Sequence, residues 1–253
     1  MPSARLSIVL LLLVCLPPAL ADQPRLKLVT GDDYAPFTGL QLPGGGMLTQ
    51  LVMAALAEQQ LAADLDWLPW KRGYLYTSQG RYDGTFPYVR SPDREKDFLY
   101  SEPVYTLQQH FFSRQGEAYE PDNLAALTGK RLCYPLGWQP PAVIQGLLDQ
   151  GLISRYSPAS LTACAKMLLL QRTDFLVADH RLGQVALRDS GKPLTAFQIS
   201  TGSLPRSSLH FIVARQHPQA AERMAQFNAG LNQLKASGRY AQIIEQYDQL
   251  PAD

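Results

Sequence analysis

Arg94 stands in the run Ser91-Pro92-Asp93-Arg94-Glu95, separated by Arg90 alone from GTFPYV at residues 84–89. That short aromatic and β-branched segment is the kind that packs as a strand. Ser91 and Pro92 break it and can start a short helical turn. Backbone N–H groups at the start of such a turn, beside a guanidinium that forks onto two oxygens, make a carboxylate site. By itself the charged stretch Asp93 to Asp97 reads equally as a solvated face. Other chemistries find less support. No His-centred dyad and no paired carboxylates can be assigned as an acid and base for catalysis. Four scattered histidines and cysteines without CxxC spacing make no metal ligand set, and no cofactor is implied.

The first 21 residues carry Arg5, then the apolar run IVLLLLVCL, then PPALA. This is the pattern of a cleavable secretory leader, with cleavage expected after Ala21 and Asp22 as the mature N-terminus. The residue before Cys15 is Val14 rather than a small one, so lipid attachment is not expected. An exported protein without a tether is expected in a periplasm. Loss of Arg5 with the leader takes the formal net charge from +1 to zero, so no overall field draws the mature chain to nucleic acid or acidic lipid. Cleavage also removes Cys15 and leaves Cys133 and Cys164. In an oxidising compartment such a lone pair is more often a disulfide than two thiols, although free Cys also packs as a small buried hydrophobe.

The elements that must position Arg94 follow from periodicity. LKLVT at 26–30 reads as a buried strand, MLTQLVMAALAEQQ at 47–60 as a helix with one apolar face, LDWLPW at 65–70 as a strand, RGYLYTSQG at 72–80 as a short helix and YDGTFPYV at 82–89 as a strand. Strand and helix alternating in this way is the order of a parallel α/β sheet, which binds ligands beyond the carboxyl ends of its strands. Tyr34, Trp70 and the segment from Tyr88 to Arg94 all fall at those ends. The same alternation restarts after Leu124, with DFLVAD at 174–179 as a short apolar strand ending on Asp179. The mature length and the 46% apolar content suit one large or two modest domains.

From Asp83 to Pro103 the sequence DGTFPYVRSPDREKDFLYSEP resembles the family 3 periplasmic solute-binding proteins, whose version reads roughly D-A-x6-T-x-T-P-E-R-x5-F-S-x-P-Y. Pro92 to Pro103 aligns without a gap, and the stretch between Asp83 and Arg94 is one residue shorter than usual. The closing Gly238, Tyr240 and Ile243 resemble the family's helix, Gly and aromatic-x-x-I ending, so the likeness spans nearly all of the mature chain. It implies an α/β fold of the two-lobed, type II periplasmic-binding-protein kind, each lobe a mainly parallel sheet flanked by helices, joined by two hinge crossings. Residues 22–107 and 205–253 then form lobe 1, and residues 108–204 form lobe 2.

Carried over residue by residue, the resemblance implies that Arg94 forks onto a ligand α-carboxylate, a pairing Lys cannot reproduce. It implies that Asp179, at the family's offset from Asp174, takes the ligand ammonium. The competing role for Asp179 is the N-cap of a helix at about 180–188. Tyr34 matches the first-strand aromatic and Trp70 the ring that stacks on the ligand side chain; core packing is the alternative for each, and is the expectation for Phe37. Asp32 and Asp33 are candidate selectors of a basic side chain, with turn formation the commoner role for a loop Asp. The pattern also departs from the family. Where Gly-Ser/Thr-Thr is usual in lobe 2, Gly137-Trp138-Gln139 stands, trading a hydroxyl donor for a large ring. Hydroxyl positions in lobe 1 are altered near Tyr88 and Arg90, with Arg90 expected to face solvent. Gln171 replaces the Gly of the family's G-R-x-D motif.

The implied function is a periplasmic receptor, a monomer without catalysis, that closes on an amino acid or related small zwitterion and presents it to the permease of an ABC importer. The alternatives are a receptor signalling in trans to a membrane protein and, further off, a relative with hydro-lyase activity.

Overall fold

The computed structural model describes residues 25–248. The leader, its cleavage point and Cys15 lie outside the described residues. The first sheet is built around β1 (Leu26–Thr30), which runs parallel to β2 (Ala63–Trp67) on one side and β3 (Gly84–Val89) on the other. Leu28 and Val29 are fully buried, as a central parallel strand covered on both faces requires. Between β1 and β2 runs α1 (Met47–Glu58), whose buried face is Met47, Leu48, Leu51, Val52, Ala55 and Leu56. Each of the larger side chains, Ala55 excepted, contributes about 1.5–3 kcal/mol on burial. That face packs against α7 (Ala220–Ala236), where a Cβ on Gly230 would stand 1.9 Å from the Ala55 carbonyl. A side chain at position 230 would therefore push the two helices apart.

The second half of the first sheet is antiparallel. β11 (Ser207–Ala214) lies against β3, β4 (Phe98–Tyr100) and β5 (Tyr105–Leu107), giving the order β2-β1-β3-β11-β4 with β5 also on β11. The second sheet has the order β10-β6-β9-β7-β8. In it β7 (Arg131–Cys133) is parallel to β8 (Ser154–Tyr156) and to β9 (Phe175–Asp179), while β6 (Gln109–Arg114) pairs antiparallel with β9 and with β10 (Phe197–Ile199). Both sheets are thus mixed rather than mainly parallel. The reason is the hinge: β11 enters from the other lobe and runs away from the cleft, opposite to the strands that run toward it. At three residues each, β4 and β10 carry too little periodicity to be legible in the sequence.

The chain leaves the first sheet at Gln108, between β5 and β6, and returns between Ile199 and Ser207. At these crossings the Gln108 amide donates to Asp179 Oδ2 (3.1 Å), the Leu204 amide to the Gln109 carbonyl (2.8 Å) and the Ser207 hydroxyl to Gln109 Oε1 (3.2 Å). Cys133, ending β7, is disulfide-bonded to Cys164 on α5 (Leu161–Leu169), with Cα atoms 5.4 Å apart. No helix among the described residues is long and apolar enough to cross a membrane.

Candidate binding site between the lobes

The loop after β1, the start of α2 (Trp70–Ser78), the end of β3 and the loop after β7 converge on one cavity of about 40 Å³. Its lining holds seven of the residues singled out from sequence: Arg94, Tyr34, Trp70, Tyr88, Gly137, Trp138 and Gln139. The eighth, Asp179, does not line it.

Arg94 is placed by the turn the sequence announces. Ser91, extended at φ −147°, caps α3 (Pro92–Glu95) by accepting from the Arg94 amide at 3.4 Å. The guanidinium donates to the Val89 carbonyl at 3.3 Å and, across the cleft, to the Gly137 carbonyl at 3.2 Å. It also lies 5.1 Å from the Tyr88 ring centroid and 5.6 Å from that of Tyr74, a cation-to-ring arrangement that steadies it. Among the described residues no carboxylate stands within ion-pair distance of it.

Trp70 is the first residue of α2 rather than the last of a strand, β2 having ended at Trp67. Its indole lies on the backbone of Gly31, where a Cβ would come within 2.2 Å of the ring. Tyr34, 8% exposed, sets its ring edge-on to Trp70 at 5.6 Å and to Trp138 at 4.5 Å. Tyr88 is buried and donates its hydroxyl to the Trp70 carbonyl at 3.2 Å. Burial pushes the Tyr34 and Tyr88 hydroxyls up from their ordinary range, Tyr88 against a lowering pull from Arg94. These hydroxyls are neutral at physiological pH.

From the second lobe, Pro135 to Trp138 make a turn in which the Trp138 amide donates to the Pro135 carbonyl and Gly137 takes φ +86°. This is the left-handed conformation that glycine adopts without cost. Gly137 also comes close to the first lobe, since a Cβ there would sit 3.4 Å from Trp70 Cβ. The ring of Trp138 thus occupies space between the lobes, against Tyr34 and, at 5.9 Å, Tyr134.

Sequence reasoning missed three residues of this site. Arg155, on β8, donates to the carbonyls of Tyr134 (3.3 Å), Pro135 (2.7 Å) and Trp138 (3.2 Å), and so holds the turn that carries Trp138. Tyr134 lines the cavity, its hydroxyl pushed up to about 12 chiefly by burial. Gln109, 4% exposed, also lines it and receives the hinge Ser207. A polar residue beginning an apolar strand was the available signal for Gln109. Nothing local marks Arg155, because its acceptors are carbonyls brought near by β7 and β8 pairing.

Asp179 ends β9 and caps α6 (His180–Arg188), accepting from the Arg181 amide at 3.1 Å with Oδ1 while Oδ2 accepts from Gln108. Its carboxyl is 4% exposed and raised above the ordinary range by burial, against the lowering effect of those two amides. Asp179 thus caps α6, with acceptor capacity left on each oxygen. Asp32 forms a turn, its Oδ1 accepting from the Asp33 and Leu40 amides at 3.0 Å each, and neither Asp32 nor Asp33 lines the cavity. Arg90 pairs with Glu95 at 3.2 Å on the outer surface. Phe37 is fully buried in the core. Gln171 sits in the left-handed region at φ +55° after α5, the conformation that the family's Gly would take freely. No group of His, Cys, Asp or Glu among the described residues is placed to hold a metal ion.

Two α/β lobes, joined by hinge crossings around a cleft with a guanidinium at its floor, make a bilobal solute-binding protein. The chain belongs to the bacterial extracellular solute-binding proteins, family 3, whose profile matches residues 26–249. Among solved structures, a histidine kinase sensor domain with similarity to periplasmic binding proteins superposes with a TM-score of 0.74 at 19% identity, covering 89% of this chain and 97% of that one. The GluR0 ligand-binding core from Nostoc punctiforme in complex with L-glutamate gives 0.71 at 18%, covering 88% and 98%. A periplasmic binding protein of Salmonella typhimurium with high arginine specificity gives 0.70 at 20%, covering 88% and 99%. At these identities the likeness carries the fold, of type II periplasmic-binding-protein form. No curated protein matches the sequence significantly.

Proposed function

We propose that this protein is a periplasmic receptor that captures a small carboxylate-bearing solute of the amino-acid kind by closing its lobes, then presents the closed form to the permease of an ABC importer. The observation that carries this reading is Arg94, a guanidinium from one lobe reaching a carbonyl of the other across an aromatic cavity. A planar cation so placed can take a carboxylate bidentately and draw the lobes together. The family and the arginine- and glutamate-binding structures of the same fold support a binding role over catalysis. The apolar leader at residues 1–21 supports export.

The test is calorimetry on protein freed of endogenous ligand, with a panel of amino acids and small carboxylic acids. At least one should bind, and Arg94→Ala should weaken it by about 100-fold, the loss of charge-assisted hydrogen bonds worth about 3 kcal/mol. Binding that survives Arg94→Ala unchanged would falsify this reading. The likeness to a histidine kinase sensor domain favours one alternative, signalling in trans to a membrane partner. Pull-down from solubilised membranes in the presence of ligand separates a permease from a signalling protein.

A further inference from the structure

We propose that Trp138 sets the upper size limit of the solute. Its indole, carried by the second lobe on a turn that Arg155 holds, takes the space into which a long or ringed body would extend from a carboxylate on Arg94. The cleft then selects compact carboxylate-bearing solutes, and the selection is made as the lobes close. This deepens the receptor reading above and rests on it.

The indole is a wall set between the lobes. Trp138 and Arg94 line the same cavity from opposite lobes. The Trp138 ring stands edge-on to Tyr34 of the first lobe, with centroids 4.5 Å apart, and to Tyr134 of its own lobe at 5.9 Å. Tyr34 is fixed in its turn, buried and packed against Phe37 at 5.4 Å and Trp70 at 5.6 Å.

The walls of the first lobe are set by its core. Tyr88, Leu107 and Leu209 are buried residues of β3, β5 and β11, and the Trp70 indole lies on the Gly31 backbone. Close-packed walls of this kind register the insertion of a single methylene. Between them and Trp138 about 40 Å³ is left, room for roughly three water molecules at about 10–15 Å³ each. A carboxylate with a short body suits that space. A phenyl ring or a long chain has to displace the indole.

The turn that carries the indole resists displacement. Arg155 donates to the carbonyls of Tyr134, Pro135 and Trp138 at 3.3, 2.7 and 3.2 Å, and to the Ser157 hydroxyl at 2.8 Å. Its guanidinium also lies 5.4 Å from the Tyr134 ring centroid. Bonds from a charged donor are stronger than those between neutral groups. The Leu136 amide adds a bond to the Pro158 carbonyl at 2.9 Å, and Cys133, just before the turn, is disulfide-bonded to Cys164. A ligand that pushes on Trp138 therefore works against β7, β8 and α5 together. Arg155 is the positioning residue of this device and Trp138 the wall.

Ligands graded by size test this on the purified, ligand-stripped protein. Calorimetry would run L-alanine, L-norvaline, L-norleucine and L-phenylalanine, with propanoate, pentanoate, hexanoate and 3-phenylpropanoate beside them, so that size is read with and without an amino group. From the shortest member to the longest and the ringed one, wild-type affinity should fall about tenfold or more, the scale of overpacking a filled site. That fall runs against the gain each added methylene brings to ordinary apolar binding. Trp138→Ala should bind the long and ringed members about tenfold more tightly than wild type, with no gain for the shortest, and Trp138→Phe should fall between the two. Arg155→Met should also narrow the size ratio, because the turn can then yield; a residue needed for stability alone would weaken every member alike. An Arg155→Met ratio equal to that of wild type overturns the positioning role. Wild-type binding of the long members as tight as that of the short ones, a tightest ligand with a long or ringed body anywhere in a full amino-acid panel, or a ratio unmoved in both Trp138 variants overturns the inference and leaves the receptor reading in place. A protein that binds no member of either series, and no amino acid of the panel, overturns both. The wild-type ranking is read on the unaltered protein, so loss of folding in a variant cannot mimic it.

Discussion

The Arg94 guanidinium of one lobe donates to the Gly137 carbonyl of the other at 3.2 Å. This bond joins the residue most legible in the sequence to the turn in which the sequence departs from its family, one residue before Trp138. It is a direct contact between the lobes, so a carboxylate on Arg94 must share or replace it. The closed arrangement is reinforced by Trp138 against Tyr34 and held from behind by Arg155 on the turn carbonyls.

Gly137 is constrained by its φ of +86°, while a Cβ there would only touch Trp70 at ordinary contact distance. Gly137→Ala should strain the turn by about 1–2 kcal/mol and disfavour closure without touching either core. Ligand affinity should drop about tenfold, and small-angle scattering of the ligand-bound protein should move toward a larger radius of gyration. An unaltered affinity would show that the turn does not control closure.

Asp179 should matter to folding through its two backbone acceptor bonds. Asp179→Ala removes the cap of α6 and leaves the Gln108 amide without its partner, at a cost of about 1–3 kcal/mol. Asp179→Asn keeps an oxygen for the cap and should recover about half of that loss. Chemical denaturation measures both, and equal stabilities for wild type and Asp179→Ala would contradict the capping role.

The Cys133–Cys164 bond spans a sequence separation of 31. Chain-entropy reasoning for a loop of that size gives about 3–4 kcal/mol of stabilisation. Replacing both cysteines with Ser should lower the denaturant midpoint accordingly, and mass spectrometry after alkylation without reductant should find no modified thiol at either position. Full alkylation of folded, oxidised protein would refute the bond.

Asp33 is exposed by area, yet protein packed around its carboxyl raises it from its ordinary 3.8 to about 6, followed by the negative charges of Asp32 and, from the end of α6, Asp189. A carboxyl whose folded pKa exceeds its unfolded value binds more protons when folded, between 3.8 and about 6. Its contribution to stability is therefore greatest at the acid side of that window and falls as pH rises through it. Asp33→Asn, which also suits the left-handed φ of +66°, should raise the melting temperature at about pH 7 and not at about pH 4. A parallel shift at both values would point to backbone preference instead of charge.

Local patterns carried much of this protein. The apolar spacing of α1, the Ser-Pro start of α3, and strand-like runs ending near Tyr34, Tyr88 and Asp179 placed the elements around a cleft, because periodicity and turn chemistry are short-range properties. Arg94 was legible for the same reason: its cap and its charge are adjacent in the chain. Tertiary structure alone decided which groups face the cavity. Asp179 has the right type and offset for a ligand partner, and the Gln108 amide, brought to it by the hinge crossing, and the Arg181 amide of its own helix each bond one of its oxygens, a pairing that only the tertiary structure could reveal. Arg155 and Gln109 entered the site through strand pairings between distant segments. A sequence states what each side chain can bond to; which of its possible partners arrives first in space is set by the packing of the two sheets.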